Sequence, residues 1–396
     1  MEYDVIIVGG GPGGAWLCRE LAKNGVKVLL LERSSIPGEP NFSSGGSPLS
    51  IIKDFEIPEE AVATEWNTLR LTNESESTIT YEHGIPAGVV FDFKKLKILL
   101  LEKAKEYGAD IKIGVSAKSY IQKNEKVFIT TSDNNEYSCR IAVDASGPAR
   151  VFSRSLNKNE TKKNPCVAIE ILFNAPNAPT EQQDILDFYW GREALPHGYG
   201  WIFPMGRTLF KVGVCIYYLN LFKPTINLDE LLGNFVNRFK WLDGSTVIEK
   251  HGGTAFGDGN INKLVHENIL IVGDAGDTIN PLGLEGIRHA FQTAKYASKP
   301  ILEVIKYGKS LSVLNNYQKS WSDYAKRNWF LVKIFSIIVY RYMGKRGFRT
   351  SMNWMKKYSP RESLQILFGY KFRILALALI RIRPRAKYII HKNLFR

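Results

Sequence analysis

A short apolar run, Tyr3–Val8, passes directly into Gly9-Gly10-Gly11-Pro12-Gly13-Gly14, and this junction limits the fold more than any other stretch. The run is rich in β-branched residues and lacks polar alternation, which predicts a strand buried on both faces. Ala15–Asn24 reads as a helix closed by Gly25, and Lys27–Leu31 as a second strand ending at Glu32. Strand, glycine turn, helix, strand and terminal acid make a βαβ start in which Gly9, Gly11 and Gly14 each have a task. The first permits the tight turn, the second lets backbone approach a pyrophosphate, and the third lets helix and strand pack closely. The helix N-terminus offers free N–H groups to phosphates, and Glu32 is placed to accept hydrogen bonds from a ribose diol. Pro12, Gly13 and Arg33 complete this expected binding edge.

A second element selects the dinucleotide. Asn268–Val272 repeats the buried-strand pattern and runs into Gly273-Asp274, after which Pro281-Leu282-Gly283-Leu284-Glu285-Gly286 leads into a helix expected over Ile287–Lys306. Asp274 at a strand end can bond the hydroxyls of a polyol chain. Backbone N–H groups from Gly283 to Ile287, with the helix dipole behind them, can stabilise an anion on the edge of a reduced isoalloxazine ring. A nicotinamide-only protein has no use for such an edge, so the expected cofactor is FAD.

Between these elements, Phe93–Tyr107 reads as a helix, with strand-like pieces at Ile111–Val115, Val127–Thr131 and Ile141–Val143, the last running into Asp144-Ala145-Ser146-Gly147. From about Pro165 to His251 the pattern turns to period two, interrupted by a helix near Leu228–Phe239. The predicted class is α/β with α+β character: a Rossmann-type FAD-binding domain (1–155 and 256–306), carrying an inserted segment near 50–90. An antiparallel-sheet substrate domain (156–255) is inserted within it, and a basic helical lobe (307–396) follows. The 396 residues suffice for more than one core. Four scattered cysteines without a Cys-x-x-Cys pair argue against a disulfide scaffold, a zinc ribbon or an iron–sulfur cluster, and no metal is expected. The start suggests no secretory leader.

These residues resemble the p-hydroxybenzoate-hydroxylase-type flavoproteins, and within them the geranylgeranyl reductase family, digeranylgeranylglycerophospholipid reductases included. The likeness rests on Gly9–Gly14, Glu32, Asp144–Gly147, Gly273-Asp274 and Pro281–Gly286. It also rests on Tyr199-x-Trp201-x-Phe203-Pro204 with Gly213 downstream, which is similar to the family's YxWxFP…G signature. It covers about Met1–Lys306. It implies reduction of carbon–carbon double bonds in prenyl chains, with electrons from NAD(P)H or a reduced ferredoxin-type carrier. Members often carry a Cys in a loop after the second strand; here the loop reads Ser43-Ser44-Gly45-Gly46, with Ser44 at the Cys place. Leu284 stands where the family's second loop usually has Gly. Gly45, Gly46 and Gly147 join the expected FAD contacts.

Tyr199, Trp201 and Phe203 alternate, so on a strand they share a face that could line an apolar tunnel or pack a core. Trp190, in the Phe188-Tyr189-Trp190 cluster, is read as lining the same cavity. Reducing an isolated alkene needs hydride on one carbon, a proton on the other, and excluded water. The candidate acids are Tyr199, Glu285 and His83, and Ser44 is expected at the flavin face. From Phe330 to Arg396 there are 16 Lys/Arg and one acid, so the chain's net charge of +14 resides in this tail. The tail is consistent with a solvated basic face, a nucleic-acid surface or an anionic membrane surface. A prenyl-lipid substrate favours the last over nucleic acid, in a cytoplasmic protein held peripherally on a membrane. A monooxygenase or halogenase of the same fold, and a non-catalytic flavin electron carrier, remain the alternative readings.

Overall fold

The computed structural model describes residues 1–371 apart from 42, 75–76, 158–164, 192, 218–225 and 258–261. Of the basic tail that starts at Phe330, residues 372–396 therefore lie outside the described residues.

The first sheet has eight strands. Its main path runs Val265–His266, Ile269–Ile271, Glu136–Asp144, Glu2–Val8, Val28–Glu32, Asp110–Ile113. Glu2–Val8 is central, parallel to Glu136–Asp144 on one side and to Val28–Glu32 on the other. Val5, Ile6 and Ile7 are fully buried, as a strand covered on both faces requires. Lys126–Thr131 and Ala117–Lys123 extend the sheet antiparallel at Glu136–Asp144. Helices Pro12–Lys23, Phe93–Glu106 and Ile287–Tyr307 pack together on one face around Leu17, Leu21, Leu100, Phe291 and Ala294. The first helix begins at Pro12, earlier than the apolar periodicity suggests, because proline's fixed φ suits a first helical position and Gly11 serves as its N-cap.

The second sheet has seven strands in the order Thr246–Phe256, Pro165–Asn174, Leu209–Tyr217, Leu195–Pro204, Ile185–Gly191, Thr68–Asn73, Thr78–Glu82. Its last two strands come from the segment expected as an insertion near 50–90. Ile185–Gly191 pairs parallel with Thr68–Asn73, while its other ladders are antiparallel. One face packs on helix Leu228–Val236 through Phe235, Leu232, Val212 and Ile202. The other face carries Tyr199, Trp201, Phe203, Cys166 and Cys215 and looks toward the first sheet. A small third sheet, Gly46–Pro48, Gly88–Phe91 and Val62–Trp66, sits where the two meet.

Helices Asn315–Ile337, Lys345–Met355 and Pro360–Leu367 form the C-terminal lobe; Ser359 and Glu362 cap the last reciprocally. Among the described residues no helix is long and apolar enough to cross a membrane.

Candidate active site

A single cavity of about 940 Å³ runs from the glycine turn to the inner face of the second sheet. Its floor is built by backbone. Gly9 has φ +108°, and a Cβ there would lie 2.3 Å from the Ala145 carbonyl oxygen; at Gly14 it would lie 2.0 Å from the Gly9 oxygen. Both positions therefore exclude side chains for packing reasons. Gly11 differs: a Cβ there meets nothing within 4 Å, because the position faces the cavity at the N-terminus of helix Pro12–Lys23. That is the cradle a pyrophosphate requires. Glu32 lines the same end, its carboxylate oriented by N–H donations from Gly10 (2.7 Å) and Ser34 (2.8 Å). Arg33 is exposed at the rim.

Asp144 has another task. It is fully buried and accepts from the amides of Ser146, Phe152 and Ser153, so it folds the turn that brings Gly147 to the cavity. Asp274 lines the cavity after strand Ile269–Ile271; burial, and then Asp277, push its carboxyl up to about 7. A carboxyl so placed is relieved by hydroxyl donors.

The loop 281–286 is fastened from outside. Ser336 donates to the Pro281 carbonyl (2.6 Å), Tyr217 and Tyr340 to that of Leu282 (2.9 and 2.6 Å), and Tyr199 to that of Gly283 (2.9 Å). Asn280 accepts the amides of Leu282 and Gly283, while helix geometry leaves four donors at the N-terminus of helix Ile287–Tyr307, beginning with those of Gly286 and Ile287. Leu284 has φ +52°, which explains why glycine suits this position; here leucine accepts the strain and packs on the aromatic wall.

Most expected contacts meet at this cavity: Gly9, Gly11, Pro12, Gly13, Gly14, Glu32, Arg33, Ser44, Gly45, Gly46, Gly147, Gly273, Asp274, Gly283, Glu285, Gly286, Ile287, Tyr199, Trp201 and Phe203 all line it. Pro281 and Trp190 do not. Pro281 sits behind the loop, and Trp190 stacks on Phe188, which takes the lining place instead (ring centroids 5.6 Å apart). His83 is also off the cavity, edge-on to Trp66.

The candidate acids separate on electrostatics. Burial alone would raise Glu285, but the Arg288 guanidinium outweighs it with two hydrogen bonds of 2.6 Å, joined by the Tyr370 hydroxyl. Glu285 is held below the usual carboxylate range and is an anion with its oxygens occupied, unsuited to donating a proton. Burial, then Cys215 and Tyr340, push the Tyr199 hydroxyl well above its ordinary value, and its hydrogen is committed to the Gly283 carbonyl.

Sequence reasoning missed several lining residues: Cys166, Cys215, Glu170, His251, and Phe368 from the C-terminal lobe. Glu170 and His251 are cross-strand partners. A lone acid in the otherwise apolar Pro165–Asn174 strand was the available hint for Glu170; its partner depends on register, which sequence does not give.

The site's geometry agrees with comparison to known proteins. A digeranylgeranylglycerophospholipid reductase of Haloferax volcanii is 27% identical over 81% of this chain and 82% of its own length. A geranylgeranyl bacteriochlorophyll reductase-like structure from Thermoplasma acidophilum superposes with TM-score 0.82 at 22% identity, covering 95% of this chain and 98% of the other. A flavin-dependent brominase superposes with TM-score 0.72 at 18% identity, covering 97% of this chain and all of the other, so the fold is shared across different chemistries. The FAD binding domain family matches residues 2–329. With the open position at Gly11, the oriented carboxylate of Glu32 and the half-buried Asp274 fitting the cofactor's three parts, the chain belongs to the FAD binding domain family, and FAD is its cofactor.

Proposed function

We propose that this protein is an FAD-dependent reductase that saturates carbon–carbon double bonds of a prenyl chain. One observation carries the reading: an aromatic wall adjoins the loops expected at the flavin ring, without a break. A Cβ on Gly46 would lie 2.8 Å from the Phe203 ring, and Tyr199 reaches the Gly283 carbonyl. Phe188, Tyr199, Trp201 and Phe203 form one connected set of ring contacts, with centroids 5.1–6.5 Å apart. The Haloferax relative's name supplies the substrate class, a geranylgeranyl glycerolipid; a quinone tail or prenyl diphosphate has the same reacting group.

Reduced FAD supplies the hydride when bound. The glycine turn and helix N-terminus hold its pyrophosphate, Glu32 its ribose, and Asp274 its polyol chain. The aromatic wall orients an isoprenoid against the ring, while Phe368 and Leu284 help to close the slot against water. Ser44, at the flavin face, orients groups there rather than donating the proton, being a far weaker acid than a thiol. The electron donor is a nicotinamide nucleotide or a ferredoxin-type carrier.

A membrane-resident substrate explains the C-terminal lobe. Phe330, Ile337, Ile338 and Tyr342 are exposed by 37–64% beside Arg341, on a lobe rich in Lys and Arg. On the same turn Tyr340 points inward, stacks on Tyr217 and donates to the Leu282 carbonyl, so the exposed edge and a fastening of loop 281–286 belong to one element. This edge is read as the face that meets an anionic bilayer.

The test is anaerobic incubation of chemically reduced protein with a geranylgeranyl lipid, followed by mass measurement. A gain of two hydrogens per bond supports the reading; unchanged lipid, or oxygen-dependent product alone, refutes it and favours the monooxygenase alternative.

A further inference from the structure

The proposed reaction consumes one proton per double bond, yet Glu285 and Tyr199 are both unsuited to give it. The inner sheet face holds another arrangement. Glu170, 3% exposed, is the direct cross-strand partner of His251 on one side and of Gly213 on the other, and Gly213 in turn pairs with Trp201. Four strands thus bring His251, Glu170, Gly213 and Trp201 into one row. Gly213 is required by this row: a Cβ there would lie 2.2 Å from Cζ2 of Trp201, because the indole lies across it to donate from Nε1 to Glu170 Oε2 at 2.6 Å. The other carboxylate oxygen, Oε1, faces His251 Nε2 at 3.0 Å. Glu170 and His251 both line the cavity.

The row also reaches outward. His251 Nδ1 is 3.9 Å from Glu249, and side-chain exposure rises from 4% at Glu170 to 9% at His251 and 35% at Glu249. Among the described residues, charged groups facing the pair include Glu249 from the strand of His251 and Lys211 from the strand beside Glu170, with Lys211 Nζ 3.9 Å from Glu170 Oε1 and donating to the Ser43 carbonyl.

Resting on the reductase reading, we propose that Glu170 and His251 are the proton-delivering pair of this site. One proton is shared between the carboxylate and the imidazole. It goes to one alkene carbon as the hydride of reduced flavin reaches the other: the π bond, the flavin's bond to the hydride and the pair's bond to its proton break, two C–H bonds form, the alkene is reduced and the flavin is left oxidised. The pair is left as carboxylate and neutral imidazole, and recovers a proton from solvent through the Glu249 rim. Lys211 fixes the pair relative to the Ser43–Gly46 loop, and Trp201 holds the unshared oxygen still.

The test compares Glu170→Gln, His251→Gln and the double variant, each loaded with FAD and reduced anaerobically before mixing with geranylgeranyl lipid. General acid catalysis contributes about 10²–10⁴-fold. Each single variant is therefore expected to lose at least about 10²-fold in kcat with little change in KM or flavin affinity, the double variant to be no worse than a single one, and the wild-type pH profile to lose a limb. Without turnover, in the oxidised substrate-free holoprotein, ¹⁵N-histidine spectra should show the His251 resonance shifting in Glu170→Gln while those of the other five histidines stay. Wild-type rates in Glu170→Gln, loss of bound FAD in that variant, or an unshifted His251 resonance would each overturn the proposal. A wild-type protein that saturates no alkene removes the reductase reading itself. Product from wild type alongside an unimpaired Glu170→Gln removes this proposal alone.

Discussion

Flavin affinity should depend on pH through one side chain. In the ligand-free site Asp274 titrates at about 7, raised by burial and by Asp277. Hydroxyls of the FAD polyol donate to it best when it is ionised, so binding drives off its proton. The apparent association constant then follows the ionised fraction of the free protein: nearly complete at pH ~8, one half at pH ~7 and about one-tenth at pH ~6. FAD should therefore bind about tenfold more weakly at pH ~6 than at pH ~8. Stability of the flavin-free protein runs the opposite way. The folded-state value lies above the ordinary 3.8, so the contribution is full below that value and is lost as pH rises through about 7. Fluorescence-quench titration of the apoprotein with FAD, and thermal melts over the same range, measure both. Asp274→Asn should flatten both dependences. Equal wild-type affinity at the two pH values, or an equally steep dependence in Asp274→Asn, would refute the reasoning.

Gly9→Ala combines φ +108° with a backbone overlap at 2.3 Å, and should prevent flavin retention or folding altogether, read as loss of yellow colour and of a cooperative melt. Gly213→Ala should lift the Trp201 indole off its strand, leaving FAD bound but cutting lipid turnover by at least tenfold, measured as product per flavin. Arg288→Ala strands Glu285 and Tyr370 in a buried site and should cost about 3–5 kcal/mol, measured by denaturant titration. Ile337→Asp with Ile338→Asp should abolish sedimentation with anionic vesicles while leaving the flavin spectrum unchanged.

The cofactor end of the site was legible because its constraints are local. A strand, a turn and a helix N-terminus lie within about a dozen residues of each other, and Gly9, Gly14 and Glu32 act on backbone only a few contacts away. Alternation placed Tyr199, Trp201 and Phe203 on one face for the same reason, and the structure sets Gly200 and Ile202 against Phe235 on the other. What stayed hidden depends on long-range register. That Thr68–Asn73 joins the second sheet, that Glu170 meets His251, that Phe368 lines the cavity, that Tyr340 fastens the Leu282 carbonyl and that Tyr370 braces Arg288 are facts of tertiary pairing. Glu285 shows the same limit. Its spacing marks it as a site residue, but only its contacts with Arg288 and Tyr370 reveal that it cannot serve as an acid.

The most direct measurement follows the visible absorption of the bound flavin after anaerobic reduction, on adding a geranylgeranyl lipid in the absence of oxygen. The oxidised spectrum should return at a rate that scales with lipid concentration and is silent to the fully saturated lipid. A flavin that stays reduced until oxygen enters would contradict the central claim that the aromatic slot presents an alkene to the ring.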